Sequence, residues 1–131
     1  MPNRAIEFHD STFDDVRKDG TDLTLRFSAA YIHQSSGKPG VDAGSGWVQE
    51  AVLHVRGGSV NGEIRELPCD LWDGDLLLGG QSFDMIPIPL DYDGQVEITL
   101  EHDGTMRVTG TRVRLELIGT PTYVEEFPGN H

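Results

Sequence analysis

Three consecutive residues near the start of the chain, His9, Asp10 and Ser11 in "EFHDSTF", carry the side chains of acid–base, metal and nucleophilic chemistry. A second pair, Tyr31 and His33, follows in "YIH". His9, Asp10 and His33 together have the composition of a two-His, one-carboxylate metal site. Against it, His9 and His33 fall on opposite faces of a hairpin unless an irregularity intervenes. Ser11, His33 and an Asp are the ingredients of a hydrolytic triad. Ser11 is not on a nucleophile elbow, however, and no Gly-x-Ser-x-Gly occurs in the chain. A third reading is structural, and the residues favour it: Asp10 and Ser11 bond backbone groups at a bend, while His9 or His33 caps the end of the core.

Other reactive side chains offer less. Cys69 in "LPCDLWDGD" has acidic neighbours and reads as a buried, inert thiol. Asp70, Asp73 and Asp75, like Asp91 and Asp93, lack the ligand pattern of a calcium loop and read as turn residues. His54 and His102 fall on strand ends or solvent faces. The candidate ligand-binding set is therefore His9, Asp10, Ser11, Tyr31, His33 and Trp47. No catalytic residue, metal ligand or cofactor is assigned.

These residues must be positioned by strands. The dominant period is two: "TDLTLRFSAAYIH" sets Leu23, Leu25, Phe27, Ala29, Tyr31 and His33 on one face. "GQVEITLEH" and "TRVRLELIG" alternate in the same one-sided way, which belongs to antiparallel sheet with a solvated face. "KDGT", "VNGE", "LGGQ", "DYDGQ" and "HDGT" are hairpin signals. A two-residue turn at "KDGT" pairs Val16 with Leu23, Thr12 with Phe27 and Phe8 with Tyr31. In "ITLEHDGTMRV" a three-residue loop, with Gly104 at positive φ, sets Leu100 opposite Met106 and Ile98 opposite Val108. The apolar parity switches past Gly110, and it breaks near His9, Asp10 and Ser11; both places predict bulges. Pro87 and Pro89 place "SFDMIPIPL" at a sheet edge. "STFDDVRK" has room for one helical turn capped by Ser11. The expected fold is one all-β domain over residues 1–131: an antiparallel sandwich or partly closed barrel of about nine strands, with no long helix.

The stretch "HQSSGKPGVDAGSGW" predicts a flexible Gly-rich loop at about 34–46. It is not a phosphate loop, because Gly46 is followed by Trp47 and a strand rather than by Lys, Ser or Thr and a helix. A binding loop and a plain crossing between strands both remain open. Trp47 begins an apolar parity with Ala51, Leu53 and Val55, so it reads first as a core anchor.

The 10 basic and 22 acidic side chains leave a formal charge of −12. That field repels nucleic acid and anionic membranes and favours a basic protein, a cation or simple solubility. A lone Cys69 forms no internal disulfide. No apolar run reaches the roughly 20 residues of a membrane helix, and "MPNRAIEFHD" lacks a signal-peptide core, so a cytoplasmic location is expected. An exposed edge strand invites a homodimer.

At "FHDS", with the "LTLRF" that follows, the chain resembles small uncharacterised bacterial β-rich proteins that open with a Phe-His-Asp-Ser/Ala type strand. Some of these are grouped with immunity proteins of toxin systems. The resemblance spans roughly the first third of the chain, a short motif, and implies a protein-binding role without carrying over any catalytic residue. The sequence thus points to a non-enzymatic binding module. Its alternative is a small-molecule or metal-binding β-domain, with hydrolysis as one option, whose site lies near the "FHD" and "YIH" segments.

Overall fold

The computed structural model describes Pro2–Pro128, and among these residues there are ten strands and no helix. They are β1 (Asn3–Asp19), β2 (Asp22–Ser35), β3 (Gly44–Arg56), β4 (Ser59–Gly62), β5 (Cys69–Asp70), β6 (Asp73–Leu78), β7 (Gln81–Phe83), β8 (Met85–Ile88), β9 (Asp91–Glu101) and β10 (Thr105–Phe127). All join one antiparallel sheet in the order β5-β1-β2-β3-β10-β9-β6-β7, with β4 added to β10 and β8 to β1. The all-β, antiparallel expectation holds, with ten strands in place of about nine, and the sheet is not closed into a barrel.

The sheet curls because its two flanks are tied by a short crossing. β5 lies on β1, β6 lies on β9, and only Leu71 and Trp72 separate them in sequence. The Leu71 amide donates to the Ser11 carbonyl (2.9 Å), and the Trp72 amide donates to the Glu101 carbonyl (2.9 Å). Inside the curl lies one core, which includes Ile6, Phe8, Phe13, Leu25, Phe27, Leu53, Ile98 and Val113, each 2% exposed or less. Phe13 and Phe27 meet with ring centroids 5.3 Å apart. Each such side chain contributes roughly 1.5–3 kcal/mol by leaving water.

The β1–β2 hairpin turns at Gly20–Thr21, flanked by Asp19 and Asp22, with Gly20 at φ 63°. This is one residue later than expected, so Val16 faces Leu25, not Leu23, and Glu7, not Phe8, faces Tyr31. "STFDDVRK" continues β1 rather than making a helical turn, because pairing with β2 satisfies its backbone. The β9–β10 hairpin has the expected register, Leu100 to Met106 and Ile98 to Val108. Gly104 does not take up positive φ there; glycine is required because a Cβ would lie 2.5 Å from the Glu63 carbonyl oxygen. The sheet also shifts register between Gly110 and Arg112, where the parity changes. β8, with Pro87, pairs only with β1 and so forms an edge.

Candidate functional site

Two bulges decide where the reactive side chains go. In β2, Phe27 faces Ala51 of β3 and the next pair is Ala30 with Gln49. Three residues therefore advance along β2 against two along β3, and the faces exchange. Ala30 and Ile32 enter the core at 0% and 1% exposure. Tyr31 and His33 turn to the opposite, outer face, which corrects the expectation that they share a face with Leu23, Leu25 and Phe27. In β1 the register breaks between Glu7 and Thr12, where Asp10 stands at φ 72°. That left-handed conformation is one Asp tolerates better than most residues. The break lets Phe8 and Phe13 both face the core while Glu7 turns outward to meet β2.

On the outer face these elements assemble a polar cluster. His33 Nε2 lies 3.1 Å from Glu7 Oε2, and the Tyr31 hydroxyl donates to Glu125 Oε1 at 2.5 Å. The imidazole of His33 stacks on Phe127 (centroids 5.1 Å apart) and tilts against Tyr31 (5.2 Å). Although they lie on the outer face, Tyr31 and His33 are only 8% and 9% exposed. Glu125 and Phe127, near the end of β10, supply the cover. Nothing local in the sequence signals them, because Glu125 lies more than 90 residues from Tyr31.

Ser11 is fully buried. Its Oγ donates to the Glu7 carbonyl (2.5 Å) and accepts the Tyr31 amide (2.9 Å), replacing ladder bonds that the β1 bulge removes. It is a backbone strut, unavailable as a nucleophile. His9 and Asp10 point into solvent and pair with each other, Nδ1 to Oδ2 at 3.2 Å. Trp47 is half-buried against the core, donates to Ser45 Oγ (2.8 Å) and meets Tyr123 edge-on. The structure thus brings together Tyr31, His33 and, through its hydroxyl, Ser11. It leaves His9 and Asp10 at the rim and Trp47 on the other face. Among the described residues no three His, Cys, Asp or Glu side chains are grouped to hold a metal ion. Cys69 is buried, and burial, followed by the nearby Asp103, Asp70 and Glu66, pushes its thiol up and away from the reactive thiolate.

The Gly-rich stretch proves shorter and better tied than a flexible loop. β2 runs on to Ser35 and β3 starts at Gly44, leaving residues 36–43. Asp42 accepts the Lys38 amide (2.6 Å) and returns its own amide to the Lys38 carbonyl (2.9 Å). Ser35 donates to the Ala43 carbonyl (2.6 Å), and Asn3 donates to the Gly37 carbonyl (2.8 Å). Gly44 and Gly46 belong to the strand. A Cβ at Gly44 would run into the Gln34 carbonyl, and one at Gly46 into the Tyr31 hydroxyl and Phe127. Gly46 is therefore the seat that lets Tyr31 cross β3 to reach Glu125.

The 38–41 segment, Glu7, His33, Asp73, Asp84 and Met85 enclose a cleft of about 310 Å³, with His9 on its wall. Lys38, Pro39, Asp84 and Met85 also border a wider groove of about 740 Å³, floored by Phe83, Pro87 and Ile88. No protein-family model, curated protein or solved structure matches the chain.

Burial, followed by the hydrogen bond to Glu125 and the charges of Glu125, Glu7 and Asp10, holds the Tyr31 phenol well above its ordinary value near 10. Tyr31 therefore stays a neutral donor. With the folded value raised, its contribution to stability is fully present below about pH 10, where the unfolded chain also holds the proton, and is lost as pH rises further. Tyr31→Phe is expected to cost about 1–2 kcal/mol at neutral pH through the lost charge-assisted bond. The gap between wild type and variant in denaturant midpoint should narrow above pH 10; a gap independent of pH would contradict this role.

Proposed function

We propose that the protein is a non-enzymatic binding module, cytoplasmic in location, that takes cationic side chains of a basic protein partner into the cleft beside the 36–43 loop. The observation that carries this reading is how the cluster's polar groups are engaged. The Ser11 hydroxyl, the Tyr31 hydroxyl and His33 Nε2 are all bonded within the chain, so no nucleophile with a free base is poised for turnover. Three acidic residues, Glu7, Asp73 and Asp84, line the cleft together with Lys38, and Glu7 is also the partner of His33.

Charge supports the same reading. Arg17, Arg26, Arg107 and Arg112 each engage one carboxylate among the described residues, which leaves most of the 22 acidic side chains without a cation. Such a field draws a basic protein in and sets its orientation. A second copy of this chain carries the same −12 and is disfavoured by like-charge repulsion. The apolar groove next to the cleft offers the partner further contact area. The resemblance of the "FHDS" strand to immunity-type proteins agrees with an inhibitor of a basic protein.

The test uses the 131-residue chain as bait in a lysate of its source organism, beside a Glu7→Gln, Asp73→Asn, Asp84→Asn variant. A basic protein should be retained at low salt and its recovery should fall at least about tenfold with the variant, corresponding to roughly 1.4 kcal/mol. Equal retention by both baits, or turnover of a substrate by the purified chain, would reject the reading.

A further inference from the structure

We infer that Trp72 is the anchor of the partner interface, an indole platform on which an Arg or Lys side chain of the basic partner stacks. The inference rests on the binding-module reading and adds a second contact to it.

Trp72 is 62% exposed, the most exposed large apolar side chain among the described residues. An indole left in water forgoes a large burial term, and such residues recur as hot spots of protein interfaces. Its place is fixed by the structure around it. The backbone on either side is tied across the sheet flanks, Leu71 to Ser11 and Trp72 to Glu101. The ring rests on His102 with centroids 4.6 Å apart. His102 is itself held, with Nδ1 2.9 Å from the Asp70 carbonyl and Nε2 3.8 Å from Glu66 Oε2. The indole is therefore presented to solvent from a backbone and a neighbouring ring that are both hydrogen-bonded to the sheet, which lowers the entropy lost when a partner docks.

The surroundings select the partner. Asp70 and Asp73 flank Trp72 in sequence, and Glu66, Glu101 and Asp103 lie on the neighbouring segments that hold Trp72 and His102. Arg65 is the basic residue of this corner, its amide bonded to Asp103. An exposed indole on an acidic stretch of chain suits a guanidinium or ammonium, which gains cation–π attraction from the ring and long-range attraction from the charges. Asp73, the residue after Trp72, also lines the cleft. A partner can place one cationic side chain in each.

The experiment titrates the full chain with hexa-arginine peptide at low ionic strength, by calorimetry and indole fluorescence. Trp72→Ala should weaken binding at least tenfold, Trp72→Phe should retain most of it, and Trp47→Phe should leave both the affinity and the fluorescence response in place. Thermal unfolding of Trp72→Ala should match wild type, since the side chain is outside the core. Unchanged affinity in Trp72→Ala, with affinity still lost in the Glu7, Asp73, Asp84 variant, would overturn the anchor and leave the binding module standing. Failure of wild type to bind hexa-arginine would overturn both. Spermine binding as tightly as the peptide would replace the protein partner with a small polyamine.

Discussion

Replacing Gly46 by Ala is expected to destabilise the protein by about 3 kcal/mol, although the position is a glycine in a strand, where Ala is ordinarily the better residue. The added Cβ would occupy the space of the Tyr31 hydroxyl and press on the Phe127 ring. Tyr31 must then leave Glu125, and Phe127 must lift from His33, so overpacking and a lost charge-assisted bond add. A double-mutant cycle separates the two. In a Tyr31→Phe background the hydroxyl is gone, and Gly46→Ala should cost about half as much. Chemical denaturation of the four proteins reads the coupling directly. Additive effects would show that Gly46 serves the backbone rather than seating Tyr31.

Ser11→Ala should cost nearly as much, about 2–3 kcal/mol. The substitution leaves the packing almost unaltered, but it strands the Tyr31 amide and the Glu7 carbonyl at a place with no ladder partner. Because Ser11 joins the β1 bulge to β2 just where Glu7 meets His33, amide hydrogen exchange should accelerate at Tyr31 and its neighbours more than across the β9–β10 hairpin. Uniform acceleration through the sheet would assign Ser11 a merely global role. Ser11→Thr keeps the hydroxyl and adds a methyl where there is no free space, so partial rescue at most is expected.

The contrast between these two sites shows what the sequence makes legible. Near Ser11 the parity of Ile6, Phe8, Phe13 and Val16 breaks visibly, and the bulge stands where that break predicts it. The shift past Gly110 and the Leu100–Met106 register were legible for the same reason: large apolar side chains mark the face at nearly every second position. The β2 bulge was not. Ala29 and Ala30 are both small and apolar, so "RFSAAYIH" keeps an unbroken pattern on either parity, and only pairing with β3 shows that Ala30 faces inward. The glycines of "GSG" suggested flexibility because composition cannot distinguish a residue that must bend from one that must leave room. A small residue facing a cross-strand tyrosine is the signal that could have revealed Gly46, and it required the register. "CDLWDGD" is too short and irregular to assign Trp72 to a face. Its exposure follows from the crossing between the sheet flanks, a tertiary feature.

The proposal is that a basic partner contacts both the cleft under residues 38–41 and the exposed Trp72 indole. Two-dimensional NMR of the ¹⁵N-labelled 131-residue chain during titration with hexa-arginine separates a defined surface from a diffuse charge effect. The Trp72 indole resonance and the amides of Glu7, His33, Asp73 and Asp84 should move together and saturate at one affinity, while the Trp47 indole and the amides around Glu97 and Glu116 stay in place. Shifts spread evenly over the acidic side chains, with Glu97 and Glu116 moving as far as Asp73, would show a diffuse charge effect and contradict a defined binding surface.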